Sequence, residues 1–408
     1  MSRTKGALNR PKRKPNEIIT INLEKQIQGA PITKENTMYN IANYGERNDY
    51  PQKLLELYQN SPTHHSCVQF AVRSIIGEGV DTEAMFQEGN QVMPSYQTTW
   101  DELIENLALD FIIFGSYAVE VILNRDRKSY SFYHIPYEKV RWHTYDSDGT
   151  IPSYFVSNDW SRPVENPPIE IESIEMTDDD KIQYGKPYMY VYKKYSPTQS
   201  YYCSPNYAAS IKAIQSEIEF CNYDLKHIVN SFTVPGLLTL PPVDDENERQ
   251  AIISNITKMF NGSENANALM LQFSNGLDNM NANFTPFASD NTADIYEQSN
   301  ERCISRIMEA HNIPSRLLIG LPDGNSGFNS ESALLESAYN LYNKLVGNSN
   351  RRAIVKTLNQ MLKMQGVDVE IKMKPLTFLD DVEESGTDND AVENNANTDE
   401  DNIEEVVS

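Results

Sequence analysis

Residues 205–232 read PNYAASIKAIQSEIEFCNYDLKHIVNSF. Their apolar positions are Tyr207, Ile211, Ile214, Ile218, Cys221, Leu225, Ile228 and Phe232. Steps of four and three alternate between them, which predicts a helix with one narrow seam of period ~3.5. Ser204 is a candidate N-cap, and Pro205 suits the first helical position, where its missing N–H costs nothing. Val234-Pro235-Gly236 stops the helix. At ~1.5 Å per residue the rod would be roughly 40 Å long. So long a rod with so thin a seam is no centrally buried core helix. Two readings stay open: a surface helix packed on its own domain, or a stave packed beside copies of itself.

After the rod comes a small, different unit. Leu237–Leu240 reads as a strand, 244–260 as a helix with an acidic first turn, Leu269–Phe273 as a second strand, and Asn283–Phe287 as an extended exit. This βαβ-like insert of roughly fifty-five residues is too small to bury much core alone. A second long helix is expected from Asn291 to His311, with Ile295, Ser299, Cys303, Ile307 and Ala310 on one face and Pro314 beyond its end. Two rods that can lie antiparallel therefore flank the insert. A Gly-rich loop, 320–329, comes next. Ser330 then caps a helix through Leu345, a further helix spans 350–365, and Val367–Met373 alternates as a strand.

Upstream, residues 1–36 read as a basic, Pro-punctuated arm with one strand-like run, Ile18–Ile21. Helices are expected at Pro51–Tyr58, at 61–76 capped by Ser61, and at 98–113 closed by Gly115. Tyr117–Leu123 and Tyr130–Ile135 form a hairpin. Residues 137–203 are rich in Tyr, Asp and Pro, with strand-like pieces at Ser153–Val156 and Tyr188–Tyr192.

The chain of 408 residues carries a net charge of −23, unevenly placed. Residues 379–408 hold twelve acids and no base, which leaves −11 for the rest. An acidic body is a poor tight binder of phosphate, although it suits a passage to which DNA must not stick. Arg3, Lys5, Arg10, Lys12, Arg13 and Lys14 form a basic cluster that either grips a partner or is a solvated tail. No apolar run approaches the ~18–20 residues of a membrane span, and no secretory signal is expected. Cys67, Cys203, Cys221 and Cys303 are scattered and read as free thiols of a reducing compartment.

Catalytic patterns are missing. There is no nucleophile elbow, P-loop, H-E-x-x-H or zinc spacing, and Gly77-Glu78-Gly79 follows a helix rather than a strand. His64 and His65 are adjacent and cannot share a helix face as a metal pair would. The loop at 320–329 lacks a following Lys and carries Asp323, which argues against a phosphate cradle. Asp178, Asp179 and Asp180 read as a solvated acidic turn.

Several stretches together resemble the portal proteins of tailed bacteriophages, of the long-tailed type. They are Leu109–Ala118 leading to His134-Ile135-Pro136, Tyr202-Cys203-Ser204-Pro205, Asn230–Leu238, and Ile304–Gly320 with Asn312-Ile313-Pro314 and Leu317–Gly320. The resemblance covers about 40–375. It implies an α+β portal-type fold: basic arm 1–36, wing 37–203, stem 204–232 and 291–313, clip 233–290, tunnel loop and channel helix 314–346, wing return with reduced crown 347–376, and acidic tail 377–408. Little chain is left for a full helical crown.

The resemblance also implies a function. Copies would form a ring, typically a dodecamer, at one capsid vertex, through which double-stranded DNA is packaged and ejected. Asp323, Gly324, Asn325, Ser326, Gly327, Phe328 and Asn329 would be the tunnel loop. Lys212, Lys226, Arg302 and Arg306 would form channel charge rings, or pair with Glu217, Glu219, Glu301 and Glu309. Tyr207, Ile211, Ile214, Ile218, Leu225 and Ile228 would be the subunit-packing seam. The implied partners are the major capsid protein, the terminase large subunit, the head–tail connector or adaptor and the passing DNA, with no membrane. No cofactor, metal or enzymatic activity is expected. The protein would be assembled in the host cytoplasm and reside in the virion. Two alternatives from other classes remain: a soluble hydrolase with a site in 110–203 using His134 or His143, and an acidic-tailed scaffold or adaptor.

Overall fold

Side-chain caps set two of the first three helices. In the computed structural model of the chain, strands β1 (Thr33–Asn36) and β2 (Ile41–Tyr44) lead into helices α1 (Tyr50–Asn60) and α2 (Pro62–Ile76). The structure describes residues 31–376, except 32, 37–38, 82–85, 88–89, 198, 230–235, 241–242, 244, 261–269, 274–282, 287–291, 322–327 and 375. Ser61 caps α2 as expected, its Oγ accepting from the His64 N–H at 3.2 Å. A two-residue hairpin of β3 (Phe86–Gln87) and β4 (Asn90–Gln91) precedes α3 (Trp100–Phe114). Thr99 and Glu102 close a reciprocal capping box on α3, with N–H···O distances of 3.2 and 3.0 Å.

At the other end of α3, Gly115 takes the left-handed conformation, φ +73°. A Cβ there would lie 2.6 Å from Cys203 Sγ, so both φ and space require glycine. The Cys203 thiol donates to the Phe114 carbonyl at 3.0 Å. The helix-to-strand passage is thus fastened to the residues just ahead of the rod.

From Gly115 the chain enters β5 (Ser116–Leu123), which pairs antiparallel with β6 (Tyr130–Ile135). Next come β7 (Val140–His143), β8 (Ser153–Val156), β9 (Ile169–Glu172) and β10 (Pro187–Lys193). They make two sheets, a five-stranded β1-β2-β7-β8-β9 and a three-stranded β10-β5-β6. The hairpin and the strands at 153–156 and 187–193 match the sequence reading. Strands β1, β2, β7 and β9 do not appear in it, because each is short and interrupted by polar residues such as Asn43, Arg141 and Glu170. Arg141 in β7 is fully buried, which no hydrophobic pattern anticipates. Its guanidinium donates to Asn48 O, Glu138 O and Val140 O at 2.8–2.9 Å and lies over the Trp160 ring.

The stem and insert come next: α4 (Ile211–Val229), β11 (Gly236–Leu240), α5 (Glu246–Phe260), β12 (Met270–Phe273), β13 (Asn283–Pro286) and α6 (Thr292–Ala310). The insert has strand order β12-β11-β13, with β11 and β12 parallel and joined through α5, as the βαβ reading requires. The last helices are α7 (Phe328–Tyr342) and α8 (Asn348–Met364).

Helix α8 returns to the N-terminal core. Thr357 Oγ1 meets Tyr117 Oη at 2.6 Å, Arg351 donates to Ser74 O and Ile75 O, and Gln365 donates to Met93 O and Tyr130 O at 3.1 and 3.0 Å. One hydrophobic core therefore includes Leu107, Phe114, Val119, Ile214, Ile307 and Leu358.

Three expectations need correction. The rod does not start at Pro205: Pro205 O accepts the Ala208 N–H at 3.0 Å, Ala208–Ser210 form a tight 3₁₀ turn, and the α-helix begins at Ile211. Ser204 consequently caps nothing. Among the described residues Val367–Met373 is no strand but a single bridge, Val80 to Met373. The helix expected from Ser330 starts two residues earlier, at Phe328, and joins the next through a π-turn rather than a break. Ile18–Ile21 lies outside the described residues.

Candidate assembly interface

Helices α4 and α6 run antiparallel. Tyr207, just before α4, stacks on His311, just after α6, with ring centroids 5.2 Å apart. At the opposite end Tyr223 stacks on Tyr296 at 4.8 Å. Helix α6 is closed at the first of these ends by Asn312 at φ +57°, with the Ile313 N–H reaching back to Met308 O at 3.0 Å. Asn tolerates that left-handed position, and Pro314 lies just beyond it.

The seam divides along its length. Tyr207, Ile211 and Ile214 are buried within their own chain, together with Cys303, Ile307 and Met308 of α6. These three seam positions anchor the rod to the wing rather than awaiting a neighbour. Ile218 is half-buried. Beyond it Cys221 is exposed, and Leu225 is exposed to 59%. Of Lys226 and Ile228 only the backbone is described. Apolar side chains at helical spacing thus leave the protein's own core and continue into solvent.

Where the rods meet the N-terminal core, buried polar contacts lie beside these apolar ones. The Glu217 carboxylate on α4 accepts hydrogen bonds from the Ser61 and Thr63 hydroxyls at the start of α2, where the helix N-terminus also favours an anion. Beside them, His64 Nδ1 lies 3.0 Å from His311 Nε2. Burial holds both imidazoles far below their ordinary range, His311 at about 3, and His64 is lowered further by His311 and His65. Both are neutral at pH 7. This junction is absent from the sequence reading, since its partners are far apart in the chain and carry no local pattern.

Three of the four basic residues expected to line a channel have described side chains. Lys212, Arg302 and Arg306 are exposed, and none forms an ion pair among the described residues. Arg302 donates within its own helix, to Gln298 O and Ser299 Oγ. Two of the four expected salt-bridge partners are used elsewhere: Glu217 is buried, and Glu301 pairs with Arg316 at 2.6 Å. Of the residues expected to form a tunnel loop, Asp323, Gly324, Asn325, Ser326 and Gly327 lie outside the described residues, while Phe328 and Asn329 open α7 with only their backbone described. On α7 and the turn after it, Leu334, Leu341 and Leu345 are exposed at spacings of seven and four. The sequence reading misses that stripe, although its helical spacing is a signal that could have found it.

The histidines weighed for hydrolysis are not gathered. His134 Nε2, on β6, contacts Asp110 Oδ2 at 2.7 Å, and the same oxygen accepts the Tyr137 N–H at 2.9 Å. Burial raises the Asp110 carboxyl and the His134 hydrogen bond opposes that shift. The pair ties α3 to the Pro136 turn. His143, on the other sheet, has Nδ1 at 2.6 Å from Thr144 O and stacks on Phe155. In the acidic turn, Asp178 pairs with Lys181. Among the described residues no group of three or more His, Cys, Asp or Glu could hold a metal ion. No helix of the described residues is long and apolar enough to cross a membrane.

No family model matches the sequence, and no curated protein matches it. Solved structures do. A chain from the virion of a native gene transfer agent particle superposes with TM-score 0.50 at 14% identity, over 80% of this chain and 83% of that one. The neck of an empty gene transfer agent particle, computed with C6 symmetry, gives TM-score 0.49 at 14% identity, over 80% and 84%. The neck of the native particle, computed with C12 symmetry, gives 0.48 at 12% identity, over 80% and 84%. This protein therefore has a mixed α+β fold shared with a component of a virion particle.

Proposed function

We propose that this chain is a portal-type protein. Copies pack side by side into a ring at one vertex of a capsid, and double-stranded DNA passes through the ring during packaging and ejection. The clip at 233–290 docks the packaging motor and later the head–tail connector, while the wing meets the major capsid protein. ATP hydrolysis belongs to the motor, and this chain acts as a non-enzymatic conduit within the virion.

The observation that carries the proposal is the divided seam. Its wing end is filled by the chain itself, while Leu225 and the leucine stripe of α7 stand exposed on the same molecule. Apolar area left in water costs about 25 cal/mol per Å², so lateral burial of these faces favours association. Head-to-tail contacts that close give a ring. The shared virion fold supports the reading, and net negative charge favours sliding of DNA over capture.

Mass measurement of the purified protein across a range of concentrations tests this. A discrete many-subunit species that Leu225→Asp shifts to single chains supports it. A single-chain mass for the unaltered protein at every concentration and salt refutes it.

A further inference from the structure

From Phe328 to Met364 the backbone is helical throughout, yet it is not one regular helix. Residues Asn343–Gly347 form a π-turn, in which the Asn348 N–H reaches back to Asn343 O. A π-turn takes one extra residue into a single turn, and such turns are where helices bend.

One polar atom of this turn has no partner among the described residues. Asn343 Oδ1 is buried without a hydrogen-bond partner. It lies over Gly347, where an added Cβ would come within 2.4 Å of it. Gly347 is also the poorest helix former in the run, apart from proline, which does not occur in it.

The two flanks are held very differently. Helix α8 is fixed to the wing by Arg351, Thr357 and Gln365, and by buried Ile354, Leu358, Met361 and Leu362. Among its described side chains, helix α7 packs through buried Ala338, Tyr339 and Tyr342, the tyrosine rings 6.4 and 4.7 Å from that of Phe70, while Leu334, Leu341 and Leu345 face solvent.

We infer that Asn343–Gly347 is a built-in hinge, at which α7 changes its angle to the wing-bound α8 without either helix unwinding. The extra residue stores the slack that a regular helix lacks. Being a property of the single chain, the hinge does not depend on the ring reading, and it stands or falls separately.

Hydrogen–deuterium exchange on the full chain tests it. The amides of 344–348 should exchange at least about tenfold faster than those of 354–362. Deleting Lys344, whose side chain is exposed, removes the extra residue while keeping both flanking registers, and should slow exchange at the turn to the rate of α8. The double variant N343A/G347A, which favours regular helix, should slow it in the same direction if the deletion fails to fold. Equal protection of the two segments in the unaltered protein, or unchanged turn exchange in a folded variant, overturns the inference.

Discussion

His64 on α2 and His311 at the end of α6 share a buried nitrogen–nitrogen contact of 3.0 Å, although 247 positions separate them in sequence. The contact joins α2 to the end of α6 with two neutral imidazoles. Its pH dependence has a definite sign. Both folded-state pKa values are depressed, that of His311 to about 3, so below the ordinary imidazole value of about 6.5 the unfolded chain binds protons that the folded chain refuses. Stability is full above that value and falls as pH drops toward 3. Denaturant melts should show the unaltered protein losing roughly 2 kcal/mol more than His311→Gln between pH 7 and pH 5. Equal losses would contradict the assignment.

Glu217 should behave as a buried anchor. Glu217→Ala leaves the Ser61 and Thr63 hydroxyls without their acceptor and opens a gap at the start of α2, at a cost of about 2–4 kcal/mol. Glu217→Gln retains one acceptor and should cost less. Melts of the two variants at one concentration give the ordering.

The two ends of the seam should respond in opposite ways. Ile214→Ala removes a fully buried side chain and should destabilise the fold by about 2–5 kcal/mol. Leu225→Asp alters an exposed position and should leave the fold of the single chain within about 0.5 kcal/mol of the original while weakening association. Melting and sedimentation of both variants separate the effects.

Thiol labelling reads the same division. Cys221 is exposed in the single chain, whereas Cys67, Cys203 and Cys303 are buried, and burial pushes the Cys67 thiol up to about 12. Without denaturant only Cys221 should label readily, and assembly should slow it by roughly tenfold or more, as burial withholds a thiolate from reagent.

The legible parts of the fold are those with a local signature. The helix capped by Ser61, the helix closed by Gly115, the hairpin 116–135, the two rods and the βαβ insert all carry periodicity or punctuation over many residues. The Thr99–Glu102 capping box is absent from the sequence reading. Strands β2, β7 and β9 are short and broken by Asn43, Arg141 and Glu170, whereas β8, equally short, carries the unbroken apolar run Tyr154-Phe155-Val156. The start of α4 is misplaced from sequence because Ser204-Pro205 fits two structures equally well, a helix start and the tight turn that Pro205 O actually closes. For the candidate interface, the seam residues themselves are readable. Which of them their own chain covers is not, because Tyr207 and Leu225 have the same spacing and differ only in what packs on them.

Cryo-electron microscopy of the purified protein tests the central claim most directly. The account predicts closed rings with a central passage, in which Leu225 and the Leu334–Leu341–Leu345 stripe contact adjacent subunits. Separate chains with those same faces open to solvent, at every salt and protein concentration tried, would contradict it.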